Sequence, residues 1–143
     1  MLEQDIKKIL ISHDEIVTAA RELGQKLTKD YQGKNPILVG ILKGSVPFMA
    51  ELIKHIDLDI QFDFMDVSSY EGTESIGDIK IIKDLDCSVK NLDILLVEDI
   101  VDTGRTLKTV KTMLKNKGAK TVRVVTLLDK PDRRVVDIEA DYT

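Results

Sequence analysis

The chain contains few aromatic residues and almost no cysteine. Its 143 residues include three Phe, three Tyr and no Trp, and Cys87 is the single cysteine. One cysteine excludes an internal disulfide framework and a cysteine-rich zinc site, and a reducing cytoplasm fits this usage best. So few aromatics also disfavour a stacking platform for single-stranded nucleic acid.

Two further absences concern membranes and nucleic acid. No apolar run approaches the roughly 20 residues that a membrane span requires, and Met1–Asp5 lacks the basic start of a signal peptide. Lys and Arg number 21 against 25 Asp and Glu, which gives a net charge of −4. This balance disfavours general nucleic-acid binding, because such binding depends on neutralising phosphates. We therefore expect a cytoplasmic location and no membrane or nucleic-acid partner.

Apolar strands alternate with helices along the chain, whose length suits one domain. Ser12 and Glu15 form a capping box that opens the first helix. The later predicted elements are a strand over 37–41, a helix from Pro47 to about Ile56, strands over 58–64, 79–82 and 94–97, a helix over 103–117 and a strand over 121–128. This order predicts an α/β fold, with a mostly parallel twisted sheet flanked by helices on both faces.

Three unusual turns, at 42–45, 98–106 and 129–134, each follow a predicted strand directly. The carboxyl ends of parallel strands share one edge of a sheet, and ligands bind there in folds of this kind. We therefore expect the three turns to converge on one site. A polar, glycine-containing segment over 66–78 is long enough to be either a functional loop or a disordered one.

Residues 102–106, Asp-Thr-Gly-Arg-Thr, place a glycine and two hydroxyls at the start of a predicted helix. Backbone N–H groups and the helix dipole favour an anion at such a position. Thr103 and Thr106 supply hydroxyl donors, and Gly104 permits close approach of the backbone. Arg105 adds a cation. This pattern predicts a phosphate-binding turn, although it lacks the lysine of a Walker loop. The alternative is that Asp102 and Thr103 only cap the helix.

Two acidic residues, Glu98 and Asp99, come shortly before the phosphate-binding turn. Acids beside a phosphate site are unfavourable unless they bind hydrogen-bond donors or a hard cation such as Mg²⁺. Ribose hydroxyls are donors of this kind, so the pattern suits a ribose 5-phosphate better than a bare phosphate. The alternative is a pair of solvated acids at a strand end.

Residues 95–107, Leu-Leu-Val-Glu-Asp-Ile-Val-Asp-Thr-Gly-Arg-Thr-Leu, resemble the phosphoribosyl pyrophosphate (PRPP) signature of type I phosphoribosyltransferases. Their sequence is most similar to that of the hypoxanthine(-guanine) phosphoribosyltransferases. Residues 39–45, 68–70 with 77–80, and 127–131 also resemble motifs of that family. The resemblance implies transfer of the 5-phosphoribosyl group from PRPP to hypoxanthine or guanine in purine salvage. It also implies Mg²⁺ as a cofactor and a homodimer or homotetramer.

The same resemblance implies roles for the residues around the signature. Glu98 and Asp99 would hold the ribose hydroxyls, directly or through Mg²⁺, and Asp102 would act as general base near the purine N7. It stays open whether Asp102 removes the proton outright or mainly stabilises positive charge that develops on the purine. The 5-phosphate would be bound by Thr103, Gly104, Arg105 and Thr106.

The other motifs would supply the pyrophosphate and purine contacts. Leu42, Lys43 and Gly44 would bind the leaving pyrophosphate, in a turn whose Leu–Lys peptide can be cis in the family. The 66–78 segment would be a lid that closes Ser69 and Tyr70 over the reaction.

Lys130 would contact the exocyclic oxygen of the purine in this family. Because lysine only donates hydrogen bonds, it favours a 6-oxo purine over adenine, whose 6-amino group is itself a donor. The alternative is that Lys43 and Lys130 are ordinary solvated lysines.

Two other functions are compatible with the same scaffold. One is a PRPP-sensing regulator that binds nucleic acid, which the net charge of −4 disfavours. The other is a phosphoribosyltransferase for a different base, such as xanthine or a pyrimidine.

The end of the chain departs from the family pattern. The family continues after a strand expected near Ile138, with an aromatic that stacks on the purine and an acid that helps to hold the metal. Tyr142 lies too early to match that aromatic. We therefore expect residues 1–143 to form a single phosphoribosyltransferase domain that is C-terminally incomplete relative to the family.

Overall fold

A computed structural model describes residues 12–69 and 79–143. The α-helices are α1 (His13–Asp30), α2 (Val46–Leu52) and α3 (Arg105–Asn116), with 3₁₀ turns at Ile53–His55 and Pro131–Arg133. The strands are β1 (Ile37–Ile41), β2 (Gln61–Ser69), β3 (Ile79–Lys83), β4 (Asp93–Val101) and β5 (Thr121–Asp129). Over these two ranges, no helix combines the length and the apolar character needed to cross a membrane.

The strands form one sheet in the order β3-β2-β1-β4-β5. β1 pairs in parallel with β2 and β4, and β4 pairs in parallel with β5. Only the edge strand β3 runs antiparallel, against β2. The predicted mostly parallel sheet is therefore confirmed for the described residues.

Helices cover both faces of the sheet, as predicted. Successive side chains of a strand point to opposite faces, so Ile94 and Leu96 of β4 join a hydrophobic cluster with α3. Leu95 and Val97 join a second cluster with α1 and α2. All four side chains are fully buried, which makes β4 a strand without a solvent-facing side over this stretch.

The first helix begins at the predicted capping box. Ser12 Oγ accepts a hydrogen bond from the backbone N–H of Glu15 at 3.2 Å, and Glu15 Oε1 accepts one from the backbone N–H of Ser12 at 3.3 Å. The apolar stripe of α1 then packs on the sheet through Ala20, Leu23 and Leu27.

The start of β2 differs from the sequence expectation. The alternation of apolar and polar residues predicts a strand over 58–64, whereas β2 begins at Gln61. Pairing with β1 starts at Ile37 opposite Gln61. Pro36 precedes Ile37, and its carbonyl still accepts the Gln61 N–H at 3.4 Å. It has no N–H to donate, which disfavours continuing the ladder before Ile37.

The end of β2 also differs, because an antiparallel partner extends it. Residues 66–69 pair with β3, so the loop expected over 66–78 is wrong for these four residues. The remainder of that segment, 70–78, lies outside the described residues.

Within β2, side-chain exposure does not follow the predicted alternation. Phe62 is 55% exposed, while the Asp63 carboxylate accepts backbone N–H bonds from Phe64 at 2.7 Å and Asp86 at 2.8 Å. Burial raises the pKa of Asp63, but those two donors and the Lys83 ammonium outweigh burial and lower it overall. Hydrogen bonds from its neighbours therefore hold the Asp63 side chain, although the alternation of apolar and polar residues predicts that Asp63 faces solvent.

The neighbouring strands β4 and β5 are longer than predicted. Their parallel register continues through Val101 opposite Asp129, beyond the predicted ends at 97 and 128. Glu98 and Asp99 are consequently the last part of a strand rather than part of a turn. The helix that follows begins at Arg105, two residues later than predicted.

The strand expected near Ile138 is not formed. Ile138 is buried in the cluster with α3, and the parallel bridge to β5 is made only at Tyr142, opposite Val125. The hydroxyl of Tyr142 donates to Asp30 Oδ2 at 2.7 Å. Its ring is thereby held against α1, which agrees with Tyr142 not matching the family's purine-stacking aromatic.

The burial of β4 predicts a large stability effect at Leu96. Leu96→Ala is expected to lower the free energy of unfolding by about 2–5 kcal/mol, because it leaves a cavity between the sheet and α3. Leu128→Ala on β5, where the side chain is 38% exposed, should cost clearly less. Urea unfolding followed by circular dichroism measures both variants, and equal losses would contradict the two-sided burial of β4.

Candidate functional site

The carboxyl ends of β1, β4 and β5 meet at one edge of the sheet. A Cβ atom added to Gly44, after β1, would lie 2.7 Å from Asp99 Oδ2 at the end of β4. The backbone N–H of Lys130, after β5, donates to the Val101 carbonyl at 2.9 Å. The predicted convergence of the three turns is therefore confirmed.

The start of α3 forms the centre of this edge. Gly104 is the N-cap residue and has a φ of 83°, a left-handed conformation that favours glycine. A Cβ there would also collide with the Ile138 side chain. The first amides of a helix have no intrahelical acceptor, and a pocket of about 150 Å³ opens here, lined by Glu98 and residues 100–107.

The helix-capping alternative for Asp102 and Thr103 does not account for their positions. Neither residue is the N-cap, and within the described part of the chain their one cap-like contact is a long one of 3.5 Å from the Arg105 N–H to Thr103 Oγ1. Both side chains instead line the pocket, together with Thr106. This arrangement combines free amides, hydroxyls and the positive end of a helix, which suits a phosphate group.

Two neighbouring carboxylates lie beside the pocket. Glu98 Oε1 accepts the Asp99 backbone N–H at 3.2 Å, and Asp99 Oδ1 accepts the Ile100 N–H at 2.9 Å. Burial first, and then the adjacent Asp99 carboxylate, raise the pKa of Glu98 to about 8, although the hydrogen bond from the Asp99 N–H lowers it in part. These acids can therefore bind donors or a cation supplied by a ligand.

The two carboxylates offer part of a site for a divalent cation. Across residues 12–69 and 79–143, no three His, Cys, Asp or Glu side chains cluster as metal ligands. Mg²⁺ commonly uses one or two carboxylates and completes its shell with water and substrate phosphate oxygens. Glu98 and Asp99 fit such a partial site, since they supply hard oxygen ligands at the rim of the pocket.

The turn after β1 is closed at both ends by hydrogen bonds. The Leu42 N–H donates to the Met65 carbonyl at 2.8 Å, and Ser45 Oγ donates to the Ile41 carbonyl at 2.6 Å. The Leu42–Lys43 peptide is cis, as the family resemblance allows. Lys43 and Gly44 are exposed between these closed ends.

The structure describes most, but not all, of the remaining predicted site residues. Lys130 is exposed and its backbone lies against Val101. Asp102 is partly exposed, and its Oδ1 accepts a hydrogen bond from Arg133 Nε at 2.9 Å. Ser69 is the last residue of β2, whereas Tyr70 lies outside the described residues.

Two arginines that the sequence did not single out connect the site. Arg134 donates through Nη1 to the carbonyls of Val101 at 3.1 Å and Asp102 at 2.8 Å, and its Nη2 pairs with Asp129. Arg133 pairs with the Asp102 side chain. The available signal was a pair of arginines directly after a predicted strand and turn, but charged residues in a polar turn are usually solvated.

Comparison with known proteins places the chain in a recognised group. The phosphoribosyl transferase domain family matches residues 8–143. A hypoxanthine-guanine phosphoribosyltransferase from Streptococcus mutans is 62% identical over 143 residues, covering 99% of this chain and 79% of the relative. The enzyme of the same name from Streptococcus pneumoniae strain R6 is 63% identical over 144 residues, covering 100% of this chain and 80% of the relative.

A solved structure agrees with these sequence relatives. A crystal structure of a hypoxanthine phosphoribosyltransferase from Staphylococcus aureus superposes with a TM-score of 0.94 and 52% identity. The match covers 99% of this chain and 77% of that one. The likeness therefore includes the sheet, both helical layers and the edge at which the turns converge.

The buried carboxylate predicts a pH-dependent stability. Because the folded-state pKa of Glu98 is about 8, against an ordinary value of 4.5, the folded chain binds this proton more tightly than the unfolded chain does. Stability from this group is full below about pH 4.5 and is lost as pH rises toward 8. Glu98→Gln should therefore have a higher Tm than the parent at pH 8 in EDTA, with the difference shrinking toward pH 5.

A matched control is Glu22→Gln, which removes an exposed glutamate from α1. Its Tm should follow the parent curve across the same pH range. A Glu98→Gln curve parallel to that of the parent would contradict the raised pKa.

Proposed function

Because the chain belongs to the phosphoribosyltransferase family, we propose that it transfers the 5-phosphoribosyl group of PRPP to hypoxanthine and to guanine. The products are IMP or GMP and pyrophosphate, and the reaction class is purine salvage. The observation that carries this proposal is the pocket at the start of α3, which lies directly beside the acidic end of β4. One edge thus offers a phosphate site next to acceptors for sugar hydroxyls.

The 5-phosphate binds at the start of α3 in this proposal. Its oxygens accept from the free amides of the first helical turn and from the Thr103 and Thr106 hydroxyls. Gly104 contributes its backbone in a left-handed conformation and leaves room for the Ile138 side chain, because no Cβ fits there, and the exposed Arg105 supplies a cation. Most of the recognition comes from groups already oriented by the helix, so little ordering is required on binding.

Glu98 and Asp99 hold the ribose hydroxyls, directly or through Mg²⁺, in the same scheme. Both side chains have acceptor oxygens, and neither forms an ion pair within the described residues. Mg²⁺ bound here would neutralise charge on the pyrophosphate and make it a better leaving group. The raised pKa of Glu98 means that its ionised form is unfavourable without a partner. Bound Mg²⁺ would favour that ionised form.

The pyrophosphate lies against the turn after β1. Lys43 supplies a flexible positive charge to the pyrophosphate, and Leu42 and Gly44 contact the pyrophosphate with their backbone. Gly44 already lies next to Asp99, so the pyrophosphate and ribose contacts are neighbours. Ser69 and Tyr70 belong to a proposed lid that begins where β2 ends and excludes water during transfer.

Asp102 acts as general base near the purine N7. The purine N9 forms a bond to ribose C1 while the bond from C1 to the pyrophosphate oxygen breaks. The purine then carries positive charge, which is lost as its N7 proton moves to an Asp102 oxygen. Asp102 is partly exposed at the pocket, so its carboxylate is accessible to a base bound beside the ribose.

Lys130 selects the base through its exocyclic group. Its ammonium donates to the 6-oxygen of hypoxanthine or guanine, whereas the 6-amino group of adenine would place donor against donor. The hydrogen bond from its backbone to Val101 holds it one strand away from Asp102. The N7 and the 6-oxygen of a purine lie on the same edge of the ring system, so residues at the neighbouring ends of β4 and β5 can contact both.

The organisation of the chain completes the proposal. We propose that residues 1–143 belong to one phosphoribosyltransferase domain, which is supported by the packing of both hydrophobic clusters on a single sheet. A cytoplasmic location is supported by the exposed free thiol of Cys87, which a reducing compartment preserves. We also propose a homodimer or homotetramer, consistent with the exposed apolar side chains Phe62 and Ile82.

The substrate assignment predicts a clear pattern across bases. The purified chain is incubated with Mg²⁺, PRPP and hypoxanthine, guanine, xanthine, adenine or uracil, and monophosphate formation is followed by liquid chromatography. Product is expected with hypoxanthine and guanine and not with adenine. Product with xanthine or uracil alone would establish a different base specificity. Tight PRPP binding with no product from any base would favour a sensor over an enzyme.

Asp102→Asn is expected to lower kcat by about 100-fold, because the amide cannot accept the purine proton. PRPP affinity, measured by calorimetry, should change little because the phosphate contacts remain. Asp132→Asn, in the adjacent 3₁₀ turn and exposed, is the matched control and should keep parental kcat. Unchanged turnover in Asp102→Asn would remove this residue from the chemistry.

A further inference from the structure

The carboxylate of Asp102 is bound by a second residue, Arg133, at the mouth of the site. Arg133 Nε lies 2.9 Å from Asp102 Oδ1, and the two side chains are 65% and 43% exposed. We infer that Arg133 is a positioning residue for Asp102, which holds one carboxylate oxygen so that the other faces the purine. This inference rests on the function proposed above, because it gives Arg133 a role only through the general base.

The backbone on both sides of this contact is fixed by other interactions. The Arg133 N–H donates to the Lys130 carbonyl at 3.0 Å, which closes the 3₁₀ turn after β5. Across the site, Arg134 Nη1 donates to the Asp102 carbonyl at 2.8 Å. Arg134 thus holds the main chain of Asp102, and Arg133 holds its side chain.

The two oxygens of Asp102 have different surroundings. Oδ1 accepts the Arg133 bond, whereas Oδ2 accepts no hydrogen bond from any residue in the described ranges. Rotation about the terminal bond of aspartate is broad and poorly restricted without a partner. A bond from the planar guanidinium restricts that rotation, which leaves Oδ2 as the acceptor available to a ligand.

The exposure of the ion pair argues against a purely structural role. Exposed pairs contribute little to folding because water and salt screen them. By contrast, Arg134 is only 14% exposed and satisfies several main-chain carbonyls. Of the two arginines, Arg133 is therefore the one that can be replaced without removing support from the fold.

The pairing is compatible with the proposed proton transfer. The purine N7 proton moves to Oδ2 of Asp102 as the N9–C1 bond forms and the C1–O bond to pyrophosphate breaks. Arg133 remains hydrogen-bonded to Oδ1 throughout and neither gains nor loses a proton. Its contribution is to place the accepting oxygen, and small misplacements of a reacting group can cost large factors in rate.

The test is a double-mutant cycle on Arg133 and Asp102. Arg133→Gln should lower kcat by about tenfold, with KM for PRPP and for hypoxanthine within about twofold of the parent. Arg133→Lys keeps the charge without the planar geometry and should recover part of the loss. In the Asp102→Asn background, Arg133→Gln should cause no further fall, because the group it positions is already disabled.

Two controls accompany the cycle. Arg21→Gln removes an exposed arginine from α1 and should leave kcat unchanged, and the Tm of every variant is measured by circular dichroism. An equal tenfold fall in both backgrounds would overturn the inference. A raised KM for PRPP with unchanged kcat would also overturn it, since Arg133 would then bind substrate directly.

The outcome separates this inference from the proposed function. A parent protein that forms no monophosphate with any base refutes both. A parent protein that turns over hypoxanthine, with Arg133→Gln indistinguishable from it in kcat, refutes only the role of Arg133.

Discussion

The strand β4 is buried on both faces and ends in two carboxylates, and the candidate site depends on this combination. Parallel pairing with β1 and β5 removes water from the strand and aligns the ends of its neighbours beside it. The same burial raises the pKa of Glu98, because a charged acid is poorly solvated there. The polypeptide supplies no ion-pair partner for Glu98 or Asp99 among the described residues, and in the proposed function the ribose hydroxyls or Mg²⁺ supply one. The burial of these acids at the end of β4 therefore favours ligand binding but lowers the stability of the fold, as is common at functional sites.

Rigid and mobile groups are separated around this strand end. The backbone of the turn after β1 and of the segment after β5 is held by hydrogen bonds to Met65 and Val101. The half-buried Arg134 then joins the ends of β4 and β5 through main-chain carbonyls. The cations that would meet a polyanionic substrate, Lys43, Arg105 and Lys130, remain exposed. Such a division confines the entropy lost on binding to the long side chains, because the backbone around them is already ordered.

Local sequence patterns were enough to predict those elements whose position depends mainly on their own residues. The capping box at Ser12, the apolar runs of β1 and β4 and the glycine before α3 each produce a strong local preference, and each element was predicted within a few residues of its observed bounds. The exceptions arose where a distant partner decides the outcome. β2 starts where Pro36 allows pairing and ends where β3 stops pairing. Asp63 is bound by the Asp86 amide, which alternation along one strand cannot reveal.

The sequence by itself determined the alternating α/β order, the motif over 102–106 that we propose binds phosphate, and the family resemblance, because each of these features lies in contiguous residues. Convergence of the three turns also followed, once the strands were taken as parallel. Only the tertiary structure decided the raised pKa of Glu98, since burial depends on every element that covers β4. It also decided the contacts of Arg133 and Arg134 with residues about thirty positions earlier in the chain. Those contacts form across the gap between two strand ends, and no local pattern specifies which side chain spans it.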